Sequence, residues 1–204
     1  MYGIDNYQKN RTIQIIIVCV AAYIFQFITG FWRNEFLILN LTFIPELAFT
    51  KPWVFITSMF LHADLNHIFF NMFVLLMLGQ TLERRIGSKK FLTLFIVSGI
   101  IGNVGYLTTA YISNNTFVPA IGASGAVYGV VGALAILYPR MPVLIYGIIP
   151  MPMIVTAFLY VMIDFFGLFM PTGVAHGAHI GGMIVGIIFA IIERTNVRIN
   201  INEV

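Results

Sequence analysis

Six runs of apolar residues, at about 12–30, 65–82, 90–111, 121–138, 143–163 and 174–192, decide what this chain can fold into. Each comes close to the roughly 20 residues that an α-helix needs to cross the hydrocarbon layer of a bilayer. Composition agrees, since 59% of the 204 residues are hydrophobic and only 9% charged, with a mean hydropathy of +0.92. That is too apolar and too poor in charge for a soluble domain. The expected fold is an all-α membrane protein, a six-transmembrane-helix bundle that forms a single membrane domain over 1–204.

The segment from Phe31 to Ala63 mixes Trp32, Arg33, Glu35, Pro45, Glu46, Lys51, Pro52 and Trp53 with apolar residues. It is too interrupted to span, and its aromatics suit the membrane–water interface, which predicts a long, partly helical, membrane-embedded loop between helices 1 and 2. Lys9 and Arg11 before the first run imitate a signal peptide. No small-residue cleavage site follows and the run continues through Ile28, so it reads as an uncleaved first span. The single cysteine, Cys19, lies in that span without a partner, which excludes a disulfide framework or a Cys-based zinc site.

The basic residues set the orientation. Lys9, Arg11, Arg84, Arg85, Lys89, Lys90, Arg140, Arg194 and Arg198 fall on one side of the predicted bundle, and only Arg33 and Lys51 on the other. The positive-inside rule then places both termini in the cytoplasm. The net charge of +3 faces the anionic inner leaflet and needs no nucleic-acid partner; no basic stripe suggests one. With this topology runs two, four and six begin at the same membrane face.

Polar residues inside spans are costly and point to function by default. Here they gather in the first turns of those three runs: Asp64-Leu65-Asn66-His67 with Asn71, Gly122-Ala123-Ser124-Gly125, and His176-Gly177-Ala178-His179. A serine needs a base within hydrogen-bond reach to become a nucleophile, and His179 on a neighbouring helix can supply it. Gly182 and Gly186 share the face of His179, and Gly125 and Gly129 flank that of Ser124, so the two backbones can approach closely. Tyr128, one turn below Ser124, can stack on the imidazole. His67 and Asn71 share a face four residues apart and, with the Ser124 N–H, can stabilise an oxyanion. Asp64 reads as the N-cap of the second helix.

Other readings stay open on these residues alone. The glycines, including Gly122 and Gly181, can serve packing only. His176, His179, His62 and His67 with Asp64 can supply zinc ligands, although no His-Glu-x-x-His pattern occurs. Asp164, Asp64 and the histidines can also serve a proton or ion carrier.

The runs Gly122-Ala123-Ser124-Gly125-Ala126-Val127-Tyr128 and Ala175-His176-Gly177-Ala178-His179-Ile180-Gly181-Gly182 closely resemble the rhomboid family of intramembrane serine proteases. His62 through Asn71 is similar to the family's second-helix signature, and Gly79, Glu83 and Gly87 match its Gly-x-x-x-Glu-x-x-x-Gly motif. The resemblance implies a Ser124–His179 catalytic dyad, His67, Asn71 and the Ser124 N–H as oxyanion donors, and Tyr128, Gly122, Gly125 and Gly182 in support. It implies no metal and no cofactor, transmembrane proteins as substrates, and a site open to the extracellular side of a bacterial cytoplasmic membrane. As a dyad family it calls for no orienting carboxylate, and Asp164 reads as a local hydrogen bonder without an assigned role. The family's Trp-Arg pair before the second helix is replaced by Trp53-Val54. The alternatives are a catalytically silent protein that binds transmembrane helices and a metal-dependent membrane hydrolase.

Overall fold

The computed structural model describes residues 10–145, 148–170 and 172–202, the side chains of residues 145 and 196–202 excepted. Lys9 and the side chain of Arg198, two of the basic residues used above, lie outside that range. The helices are α1 (Arg11–Ile28), α2 (Glu35–Leu41), α3 (Val54–Thr57), α4 (Leu65–Val74), α5 (Gln80–Ile86), α6 (Ser88–Ile112), α7 (Ser124–Leu137), α8 (Met153–Gly167) and α9 (His176–Asn202). A π-helical stretch, Leu75–Gly79, joins α4 to α5 in one continuous run.

Four helical stretches are long and apolar enough to cross a bilayer: Arg11–Ile28, Leu65–Ile86, Ser88–Ile112 and His176–Thr195. Exposed apolar side chains such as Ile17, Phe27, Ile112, Ile163 and Ile188 face outward from them and from α8, where a soluble protein would present charge. The chain is a multi-pass integral membrane protein.

The count of six full-length spans is corrected, because α7 and α8 have 14 and 15 residues. At 1.5 Å per residue they measure about 21 and 22 Å, short of a hydrocarbon layer of about 30 Å. The fifth run, expected at 143–163, begins as an antiparallel β-hairpin of β1 (Pro142–Ile145) and β2 (Ile149–Pro152), and only Met153–Gly167 is helical. The cause is proline. Pro150 and Pro152 lack the N–H that a helix interior needs, and Pro152, extended at ψ 140°, sits at the N-cap of α8.

Packing centres on α7, ten of whose residues are buried, among them Gly125, Gly129 and Gly132. Its principal neighbours are α9 and α6. The seam with α9 is main chain against main chain: a methyl on Gly182 would overlap the Gly125 carbonyl, and one on Gly186 the Gly129 carbonyl. On the α6 side, a methyl on Gly102 would lie 3.4 Å from Gly125 Cα. Because Ile112 ends α6 ten residues beyond Gly102, the head of α7 starts about 15 Å below the end of its neighbour.

A polar device locks the periphery. The Glu83 carboxylate accepts from Arg11 N (2.7 Å), Thr12 N (2.9 Å), Thr12 Oγ1 (2.7 Å) and Ser88 Oγ (2.6 Å), so a buried charge satisfies the free amides at the start of α1 and lies at its positive end. Gly79 keeps the space Thr12 needs, and Gly87, at φ 84°, turns the chain from α5 into α6.

The 31–63 segment is folded as short helices and 3₁₀ turns and pinned by side chain to backbone hydrogen bonds. Trp53 Nε1 donates to Asn40 O, Thr57 Oγ1 to Leu41 O, and Asn103 Nδ2 on α6 to Phe55 O. Val54 is buried with Phe43 and Ala48, a pocket suited to an apolar side chain. Gln26 of α1 clamps the end of this segment by accepting from His62 N and donating to His62 O.

The His62 ring is fully buried, and burial first, then the neighbouring His67, pushes its pKa down to about 4, opposed by the Phe60 backbone. The folded state therefore holds fewer protons than the unfolded one between about pH 6.5 and 4, so stability falls as pH drops through that window. A His62→Leu variant is expected to show a shallower loss of melting temperature from pH 7 to pH 4.5 than wild type in the same detergent. Parallel slopes would refute this.

Candidate active site

Three helix starts and one helix end meet at one level. α4 begins just after Asp64, whose side chain accepts from His67 N at 2.9 Å, the N-cap expected from sequence. α7 begins at Ser124, and α9 at His176. Loop 113–123 is held by the Phe43–Ala120 bridge and by Gly122 N donating to Ser58 O at 2.9 Å, which fixes the entry into α7.

The Ser124 hydroxyl lies 2.9 Å from His179 Nε2. The imidazole stacks on Tyr128, with ring centroids 4.1 Å apart and planes at 13°, and Tyr160 of α8 lies beyond Tyr128 at 5.7 Å. Ser124 is half-buried and His179 buried, a setting in which a hydrogen bond is stronger than in water.

His67 accepts a hydrogen bond from Ala63 N at Nδ1 (3.3 Å), so its proton resides on Nε2. That nitrogen faces Gly122: a methyl there would sit 2.8 Å from His67 Nε2 and 3.8 Å from Ser124 Oγ. Gly122 also has φ 122°, a conformation that disfavours any side chain. The corner between the His67 N–H and the Ser124 hydroxyl is thus kept open by a glycine required twice over. Asn71, on the same face of α4, is buried and donates to His67 O at 2.8 Å, so in this state one amide hydrogen is spent within its own helix.

Sequence reasoning did not assign Asp164. It is buried near the end of α8, and its Oδ1 lies 2.8 Å from His179 Nδ1 and 2.6 Å from His176 Nδ1. His176 Nε2 in turn lies 2.6 Å from Thr172 Oγ1. A signal was present: a carboxylate at the outer end of an inside-to-outside helix shares its depth with the first turn of the next helix.

Asp164, His176 and His179 also bring one potential metal-ligand atom each within 4.8 Å of one another. Both Nδ1 atoms, however, converge on one carboxylate oxygen at hydrogen-bond distance, whereas a bound zinc needs its own space at about 2.0–2.1 Å from each nitrogen. His62 and His67 form a separate edge-to-face pair, centroids 5.1 Å apart.

The model of the Rhomboid domain matches residues 50–196. The chain is 32% identical over 189 residues to Rhomboid protease GlpG of Salmonella choleraesuis (strain SC-B67), covering 90% of this chain and 63% of that protein. It is 28% identical over 188 residues to Rhomboid protease GlpG of Yersinia pseudotuberculosis serotype I (strain IP32953), covering 91% and 63%. A bundle whose central helix presents a serine to a histidine, matched along most of its length by this domain, belongs to the rhomboid family. It spans about 63% of the length of the curated relatives it matches.

Proposed function

We propose that this protein is an intramembrane serine endopeptidase that hydrolyses peptide bonds of transmembrane proteins, with Ser124 as nucleophile and His179 as general base. The observation that carries it is the 2.9 Å Ser124–His179 contact, beside an imidazole N–H aimed at the same corner. His179 takes the hydroxyl proton as Oγ attacks the scissile carbonyl. The developing oxyanion is received by His67 Nε2–H, by the Ser124 N–H at the first turn of α7, and by Asn71 once its amide turns toward the corner. The histidine then gives its proton to the leaving amine, and water resolves the acyl-enzyme by the same route.

The reading includes six crossings, the short α7 and α8 being accommodated inside the bundle or by local thinning of the bilayer. Both termini face the cytoplasm, as the basic residues indicate, the 31–63 segment is embedded at the opposite face, and the site opens to the extracellular side of a bacterial cytoplasmic membrane. A substrate helix approaches laterally and unwinds near its outer end. Unwinding exposes backbone polar groups that need partners, so helices already weakened by Gly or Pro are preferred.

The test is activity-based labelling of purified protein in detergent with a fluorophosphonate, beside cleavage of a transmembrane substrate. Wild type is expected to be labelled on Ser124, and Ser124→Ala to lose both labelling and cleavage. Cleavage that persists in Ser124→Ala would remove the nucleophile assignment. Binding of transmembrane helices without labelling would favour a non-catalytic receptor for them.

A further inference from the structure

We propose that Asp164 is a positioning residue for this reaction, which orients the His179 imidazole of the Ser124–His179 dyad and is itself backed by His176 and Thr172. The inference deepens the reading above and rests on it.

A carboxylate can only accept, so the contacts at 2.8 and 2.6 Å place the protons of both imidazoles on Nδ1. For His179 this leaves Nε2 unprotonated and facing the Ser124 hydroxyl, the tautomer a general base requires. For His176 it leaves Nε2 to accept from the Thr172 hydroxyl, whose oxygen accepts from Val174 N at 3.2 Å. The bonds through Asp164 Oδ1 all run in one direction, while the buried Asp164 Oδ2 has no hydrogen-bond partner among the described residues.

Charge supports the same role. Asp164 is 1% exposed, and a carboxylate at that burial is costly unless several donors hold it. When His179 takes the serine proton it becomes an imidazolium that keeps its Nδ1–H on Asp164. The positive charge then forms beside a negative one already in place, without reorganisation of solvent. Asp164 itself stays ionised; the proton goes from Oγ to Nε2 and on to the leaving nitrogen as the C–N bond breaks.

His176 backs the carboxylate and is itself walled in by Gly167, where a methyl would overlap its ring. It does not touch Ser124, so it holds Asp164 in place and does not orient the base. A mere strut between α8 and α9 would make the two residues equivalent. Positioning makes them unequal.

The experiment compares Asp164→Asn, Asp164→Glu and His176→Asn with Ser124→Ala and His179→Ala, reading kcat and KM on a transmembrane substrate together with melting temperature. Asp164→Asn is expected to lower kcat by about 10²–10⁴-fold with little change in KM. Asp164→Glu recovers part of that loss, and His176→Asn loses less than about tenfold at a comparable melting temperature. On unmutated protein in lipid nanodiscs, ¹⁵N-histidine NMR is expected to show His179 protonated on Nδ1, a result that depends on no variant folding. The proposal is overturned by a His179 proton on Nε2, by a folded Asp164→Asn within about tenfold of wild type, or by equal losses in the Asn variants at 164 and 176. Loss of wild-type activity on chelation, restored by zinc, would reassign Asp164, His176 and His179 as metal ligands. Retained cleavage in Ser124→Ala or His179→Ala would defeat the proposed function itself, whereas loss in both with an unaffected Asp164→Asn defeats this inference alone.

Discussion

Alanine at Ser124 or at His179 is expected to lower kcat by about 10⁴–10⁶-fold, and alanine at both to lower it little further. On the proposed reading the two side chains act as one unit. Among the described residues the hydroxyl has a single base within hydrogen-bond distance, at 2.9 Å, and the imidazole Nε2 makes no other hydrogen bond. Without His179 the hydroxyl stays protonated, and without Ser124 the histidine has no nucleophile to activate. What remains is binding and the oxyanion corner formed by His67 and Gly122. The measurement is kcat for a transmembrane substrate in proteoliposomes, with melting temperatures to show that the bundle persists. A double variant with the product of the two single losses would mean that the residues act independently and that the contact is incidental.

Gly182→Ala is expected to destabilise the bundle by about 3 kcal/mol or more, and to lower kcat by at least about 10²-fold in protein that still folds. The added methyl would overlap the carbonyl of Gly125, which is main chain in the middle of a helix pair and cannot rotate away. The only relief is to part α7 from α9, and those helices carry Ser124 and His179. Gly125→Ala makes a graded comparison, since its methyl would meet Ala178 O at 3.2 Å and Gly102 Cα at 3.6 Å, separations that a small shift accommodates. Thermal unfolding in one detergent ranks the two. If Gly182→Ala melts with wild type, the seam is looser than described.

Much of this was legible in the sequence because it is local or periodic. Apolar runs located α1, α4 to α5 and α6 within a few residues, as well as the start of α9, which continues to Asn202, well past the expected end at 192, and Asp64 announced the start of α4 by its cap. Ser124 and His179 could be paired since each opens a helix entering from the same face. Tyr128, four residues below Ser124, stacks on the imidazole as helical spacing suggested. The fifth run misled because Val143, Leu144 and Ile149 are as apolar in a hairpin as in a helix; Pro150 and Pro152 held the distinction. Asp164 was seen but not placed, since its meeting with His179 depends on a helix end and a loop whose course no periodicity encodes. The 31–63 segment was opaque for a related reason: Trp53, Thr57 and Gln26 fix it by reaching backbone groups far along the chain.

The offset between α6 and α7 sets a measure of reach. On the proposed reading, a substrate helix that arrives laterally has to yield its scissile bond about 15 Å below the level of Ile112, a depth of about ten residues of helix but only about five in extended form. Under that reading, depth alone would select for how far a strand can be paid out, and set a minimum length of slack backbone whatever its side chains.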